Sequence, residues 1–92
     1  MNKNINQIRD EIDLIDKEIR ELFVKRMNLS KSVAEYKLEN NLSIEDINRE
    51  IEIISKNSFE VRDELKKYYV EFFKKIIFLS KDYQKEIIDE KK

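Results

Sequence analysis

Ninety-two residues make one small domain, spanning 1–92, too short to bury a large share of its own surface, so self-association would help it. Nineteen Lys+Arg against 20 Asp+Glu leave a formal net charge of −1, which draws in no nucleic acid as a whole and makes any anion site a local one. The absence of Cys and His removes disulfides, thiol nucleophiles, zinc clusters and the commonest general base, and the absence of Gly and Pro removes phosphate-cradling loops and most tight turns.

The chain begins with polar and charged residues broken by single isoleucines, Met1 to Asp10, which is neither a signal peptide nor a membrane span. A cytoplasmic protein that does not enter a membrane is expected. Ile5, Ile8, Ile12, Ile15, Ile19, Leu22, Arg26, Leu29, Val33 and Tyr36 then follow alternating three- and four-residue spacings, the pattern of a long helix packed along one stripe. That spacing predicts a first helix from Asn6 to Leu38, about 50 Å long, longer than a compact chain of this size is wide. A homodimer resolves the mismatch.

Glu39-Asn40-Asn41-Leu42 reads as a connection, and Ser43 followed by Asp46 as a helix start whose side chains cap free N–H groups. A short second helix follows with Ile44, Ile47, Ile51 and Ile54 on its apolar face, ended by Lys56-Asn57-Ser58, which is also able to cap the next helix. The third is long, with a stripe of Val61, Leu65, Tyr69, Phe72, Ile76, Leu79 and Tyr83 joined by Phe73 and Ile77; its charged end after Ile88 is expected to fray. The fold class is all-α.

Polar groups stand where apolar ones belong. Arg26 interrupts the first stripe, and a guanidinium cannot shed its charge, so an anion should meet it. Lys37 lies three turns further along nearly the same face, about 16 Å away. Arg9 lies about 25 Å from Arg26 and a quarter-turn round, out of reach of the same small ligand unless an antiparallel second copy supplies it. Ser80 and Gln84 continue the Phe73–Ile77 line of the third helix as a hydroxyl and an amide, while Asp46 and Glu50 sit four apart with Arg49 between them. Each has a plainer alternative: Arg26 snorkelling or pairing with a Glu, Ser80 and Gln84 at a helix end turning to solvent, and the acidic pair as an exposed face with Asp46 partly a cap.

Taken in order, Ile8-Arg9-Asp10-Glu11-Ile12-Asp13-Leu14-Ile15-Asp16, Leu22-Phe23-Val24-Lys25-Arg26, Val33-Ala34-Glu35-Tyr36-Lys37, Asp46-Ile47-Asn48-Arg49-Glu50 and Ile76-Ile77-Phe78-Leu79-Ser80-Lys81-Asp82-Tyr83-Gln84 resemble the all-helical chorismate mutases. The resemblance covers almost the whole chain. It implies an intertwined homodimer of three-helix chains with antiparallel first helices, converting chorismate to prephenate in aromatic amino-acid biosynthesis without metal or cofactor.

The same resemblance implies that Arg26, and Arg9 from the other subunit, grip the two substrate carboxylates. Lys37 and Gln84 would bond the ether oxygen, with Lys37 also near a carboxylate. Glu50 would accept from the ring hydroxyl beside the Asp46 backbone, Ser80 would contact a carboxylate, and Arg49 would line the pocket. Lys81 departs from the pattern, because many relatives have an apolar pocket residue there. The join between the second and third helices is also short.

Three rivals remain open at this stage: an isochorismate-pyruvate lyase on the same scaffold, a helical dimerisation module without catalysis, and a weak mutase dependent on a pathway enzyme as partner. Glu50 favours the mutase over the lyase. The dimerisation module requires Arg26 and Lys37 to pair with protein carboxylates. So short a chain leaves no room for a fused dehydratase, dehydrogenase or regulatory domain, and feedback inhibition by Phe or Tyr is not expected from it alone.

Overall fold

Asn4 starts the first helix by accepting from the Gln7 N–H at 2.9 Å, while the Gln7 side chain accepts from the Asn4 N–H at 3.0 Å. This reciprocal box satisfies donors that an open helix end leaves free. The computed structural model describes residues 3–92, and within them the elements are α1 (Ile5–Glu39), α2 (Ile47–Ser58) and α3 (Asp63–Lys91). All-α architecture, with one short helix between two long ones, matches the periodicities.

A chain without glycine ends α1 by using Asn41 in the left-handed region, at φ 54°. The Leu42 N–H reaches back to the Lys37 carbonyl at 2.8 Å and the Asn41 N–H to the Leu38 carbonyl at 3.3 Å. Together they form the paired bonds of a Schellman ending, with asparagine in the place glycine usually takes. The connection then runs to Asp46.

Three boundaries differ from the sequence reading. Ser43 does not start α2; its Oγ accepts from the Glu45 N–H at 3.1 Å in a local turn, and Asp46 is the cap, accepting from the Arg49 N–H at 3.1 Å. Ile44 therefore lies in the connection rather than on the helix. Ser58 does not cap α3, whose N-cap is Arg62 with no side-chain cap bond; Asp63 and Glu64 in the first turn supply the favourable charge instead. α3 also continues past Ile88 to Lys91, whose Nζ meets Glu35 of α1 at 3.2 Å.

α3 is the common wall: α1 packs on it and α2 packs on it, while α1 and α2 stay apart. The buried residues of α1 are small: Ser30 is 5% and Ala34 0% exposed. The buried residues of α3 are Ile77, Ser80, Gln84 and Ile87, and Ser80 meets Ser30 across the helices. The inward line of α3 is thus the one running through Ile77, Ser80 and Gln84, while Leu65, Phe72 and Leu79 of the expected stripe remain exposed. The reason is geometric: α3 is apolar over a wide arc, and α1 covers only one side of it.

The long α1 stripe is open in the same way. Ile8, Ile12, Ile15, Ile19 and Leu22 are 40–63% exposed, and the chain measures 57 × 26 × 14 Å. Its radius of gyration is 16.9 Å, against about 12 Å for a compact chain of this length. Full burial of such side chains contributes about 1.5–3 kcal/mol each, so the open stripe is a large unused source of stability. No helix among the described residues is long and apolar enough to cross a membrane.

Candidate active site

The gap between α1 and α2 over α3 is a cavity of about 350 Å³. Arg26, Ser30 and Lys37 line it from α1, Ile44 and Asp46 from the connection, Arg49 and Glu50 from α2, and Ser80, Lys81 and Gln84 from α3. Leu29, Val33, Ile53 and Ile77 supply its apolar walls. Seven of the eight residues singled out in the sequence meet here: Arg26, Lys37, Asp46, Arg49, Glu50, Ser80 and Gln84. Arg9, the eighth, is exposed on the free half of α1 and does not line the cavity of its own chain.

Arg26 is half-buried and forms no ion pair among the described residues; its guanidinium lies over the Phe73 ring, 5.7 Å from the centroid. Burial, and then the nearby Arg49 charge, pull its pKa below the usual arginine range. Both effects mark a cation that gains from an incoming anion. Lys37 is likewise without a carboxylate and donates to the Ile44 carbonyl at 3.0 Å. That bond ties the connection to α1 and leaves two ammonium donors for other partners.

On the floor, Ser30 Oγ and Ser80 Oγ lie 2.5 Å apart, and Gln84 Nε2 donates to Ser80 Oγ at 3.1 Å. Gln84 keeps a second N–H free, and its Oε1 is buried with no partner among the described residues. Ser80 and Gln84 are therefore not a helix end turning outward. Ser30 was missed by sequence reasoning, although it lies four residues after Arg26 and seven before Lys37, on one helical face.

Across the cavity, Lys81 Nζ meets Glu50 Oε1 at 3.1 Å and Glu45 Oε1 at 3.2 Å. The hydrogen bond with Glu50, followed by that with Glu45, raises the Lys81 pKa above the ordinary lysine value. Glu50 Oε2 is buried and has no partner among the described residues. Arg49 pairs with Glu52 along the exposed side of α2, and Asp46 is occupied as the α2 cap. Among the described residues, no group of three or more His, Cys, Asp or Glu side chains gathers to hold a metal.

Chemically, the cavity is an anion receptor with directional donors and one buried carboxylate oxygen, Glu50 Oε2, that has no partner among the described residues. Arg26, Lys37, Arg49 and Lys81 face Asp46 and Glu50, an excess of two positive charges before any second copy contributes. Such a site suits an anionic molecule that carries a hydroxyl.

No solved structure matches the chain. It is 38% identical over 89 residues to the bifunctional chorismate mutase/prephenate dehydratase of Buchnera aphidicola subsp. Acyrthosiphon pisum (strain APS). The alignment takes in 95% of this chain and 23% of the relative's length. Residues 8–85 match the family described as chorismate mutase type II. That span runs from the turn bearing Arg9 to the one bearing Gln84 and encloses every residue placed around the cavity, so the chain belongs to the chorismate mutase type II family.

Proposed function

We propose that this chain is a chorismate mutase, an isomerase that rearranges chorismate to prephenate at two equivalent sites of an intertwined homodimer. The observation that carries the reading is a cavity where, among the described residues, Arg26 and Lys37 lack carboxylates and Glu50 Oε2 lacks a donor. A non-catalytic dimerisation module requires the opposite pairing.

The reaction breaks an ether C–O bond and forms a C–C bond within one molecule, with no proton transferred and no nucleophile needed. Arg26, and Arg9 of the partner subunit, would hold the two carboxylates through paired N–H donors, which suit a planar carboxylate better than a point charge. Held at both ends, the enolpyruvyl arm lies over the ring in a reactive geometry. Lys37 and the free N–H of Gln84 would donate to the ether oxygen as negative charge develops on it. Glu50 would accept from the ring hydroxyl, and Ser80 would contact a carboxylate while holding Gln84 in place. Arg49 would add to the positive wall.

The open α1 stripe supports the dimer. Laid antiparallel against a second copy it would be buried, and the start of one helix would lie beside the later part of the other. Arg9 of the partner subunit would then approach Arg26. The relative's paired activities point to a prephenate dehydratase as the class of enzyme that would consume the product.

The test is to mix the purified chain with chorismate, follow loss of its ultraviolet absorbance, and identify the product by NMR. Prephenate is expected. No turnover by a folded dimer would overturn the reading, and pyruvate release from isochorismate would replace it with the lyase.

A further inference from the structure

Among the described residues, Lys81 is the cavity cation that bridges two carboxylates, whereas Arg49 pairs with Glu52 alone. Its ammonium ties Glu45 of the connection and Glu50 of α2 to α3, at 3.2 and 3.1 Å. Glu45 is largely exposed, whereas the Glu50 side chain is 23% exposed and its two oxygens differ: Oε1 has Lys81, and Oε2 is buried with no partner among the described residues. A carboxylate free to turn offers either oxygen to water or to a ligand. One oxygen held by an ammonium fixes which oxygen remains.

We propose that Lys81 is a positioning residue that sets the specificity of the site: by holding Glu50 Oε1 it leaves Oε2 as the carboxylate oxygen that accepts from a hydroxyl on the substrate ring. This rests on the mutase reading. The energetic logic is that an unpartnered, buried carboxylate oxygen costs free energy in the empty site, and a ligand hydroxyl relieves that cost. A substrate with the hydroxyl in the right place gains from the relief, and one without it leaves the penalty standing. Lys81 acts through Glu50 and does not touch the breaking bond, so its effect belongs to binding rather than to the chemical step.

The experiment is a double-mutant cycle on KM and kcat for chorismate, using wild type, Lys81→Met, Glu50→Gln and the double variant, with circular dichroism and size confirming the fold of each. Lys81→Met is expected to raise KM about tenfold with little change in kcat, the scale of one charge-assisted hydrogen bond. In the Glu50→Gln background the same change should move KM less than about twofold, because the group through which Lys81 acts has already gone.

Lys81→Arg, which keeps the charge, should recover most of the loss. Glu45→Gln, which removes only the outer anchor and spares the fold should Lys81→Met unfold the chain, should leave KM nearly unchanged. Equal effects of Lys81→Met in both backgrounds, no effect in either, or a Glu45→Gln defect as large as that of Lys81→Met would each overturn the assignment. An inactive wild type would overturn the mutase reading itself, a different result from an active wild type with an additive cycle.

Discussion

Ser30 and Ser80 share a hydrogen bond of 2.5 Å across fifty residues of chain, joining α1 to α3 at the floor of the cavity, and Gln84 hangs from the same Ser80 oxygen. Replacing Ser30 with Ala removes one end of this series and leaves Ser80 held by Gln84 alone. The expected cost is about 1 kcal/mol of stability. A several-fold fall in kcat should accompany it as Gln84 loosens. Thermal unfolding and steady-state kinetics of Ser30→Ala check both, and unchanged kcat would detach the serine pair from Gln84's proposed role.

Arg26 is a half-buried guanidinium with an aromatic ring beneath it and no ion pair among the described residues. Arg26→Met is therefore expected to leave the unfolding temperature unchanged or raised, since a desolvated cation beside Arg49 is relieved. Activity should fall by about a hundredfold or more, the scale of losing a pre-organised donor. A variant equally active but less stable would make Arg26 a structural residue.

Arg9→Ala and Lys37→Ala should each be nearly inactive, and mixing them should restore activity. In a shared-site dimer the heterodimer has one site with both defects and one with neither, so equal mixing returns about a quarter of wild-type sites. Kinetics before and after subunit exchange, with exchange followed by mass spectrometry, measure it. Exchange without recovery would rule out an Arg9 supplied by the partner subunit.

The pH dependence has two parts. Lys81 has a raised folded-state pKa, so its stabilisation is complete below the unfolded lysine value, about 10.4, and is lost as pH rises through the higher folded one. The difference in unfolding temperature between wild type and Lys81→Met should thus hold steady from mildly acidic to mildly basic pH and shrink in strong alkali. It should be small, because the pair is partly open to solvent. Turnover should also vary little from mildly acidic to mildly basic pH, since Gln84 donates without titrating. A steep fall governed by one group near neutrality would count against these roles.

Asn41 holds a left-handed conformation that glycine adopts freely. Asn41→Gly should add about 0.5 kcal/mol, and Asn41→Val should remove more than about 1 kcal/mol, because a branched Cβ collides with the backbone there. Chemical denaturation of the two variants gives the comparison. Activity should follow stability only weakly, unless movement of Leu42 disturbs the Lys37–Ile44 bond.

The cavity residues were legible where a polar side chain occupied an apolar phase: Arg26, Ser80 and Gln84 each interrupt a stripe. Ser30 was not, because a small polar residue beside Ala34 looks like ordinary helix surface until a second helix approaches it. Periodicity shows which residues share a face and says nothing of what covers that face. For this reason Leu65, Phe72 and Leu79 read as core yet lie open, while the line through Ile77 and Ser80 meets α1. The Ser43 start failed for a similar reason: a serine can cap a helix or close a turn with the same bond, and here it closes the turn.

α1 is also a ruler. Arg9 and Arg26 are fixed to one rod of 35 residues without a proline or glycine, so the separation and angle between them are set by the number of peptide units alone. Adding or deleting a single residue between them turns one end by about 100° against the other and carries the apolar stripe round with it. Length changes should thus be excluded from this stretch far more strictly than substitutions, and those that survive should come in steps of seven or eleven, which restore the phase. The connection from Asn40 to Asp46 carries no helical phase, so a length change there leaves the spacing and angle between Arg9 and Arg26 untouched.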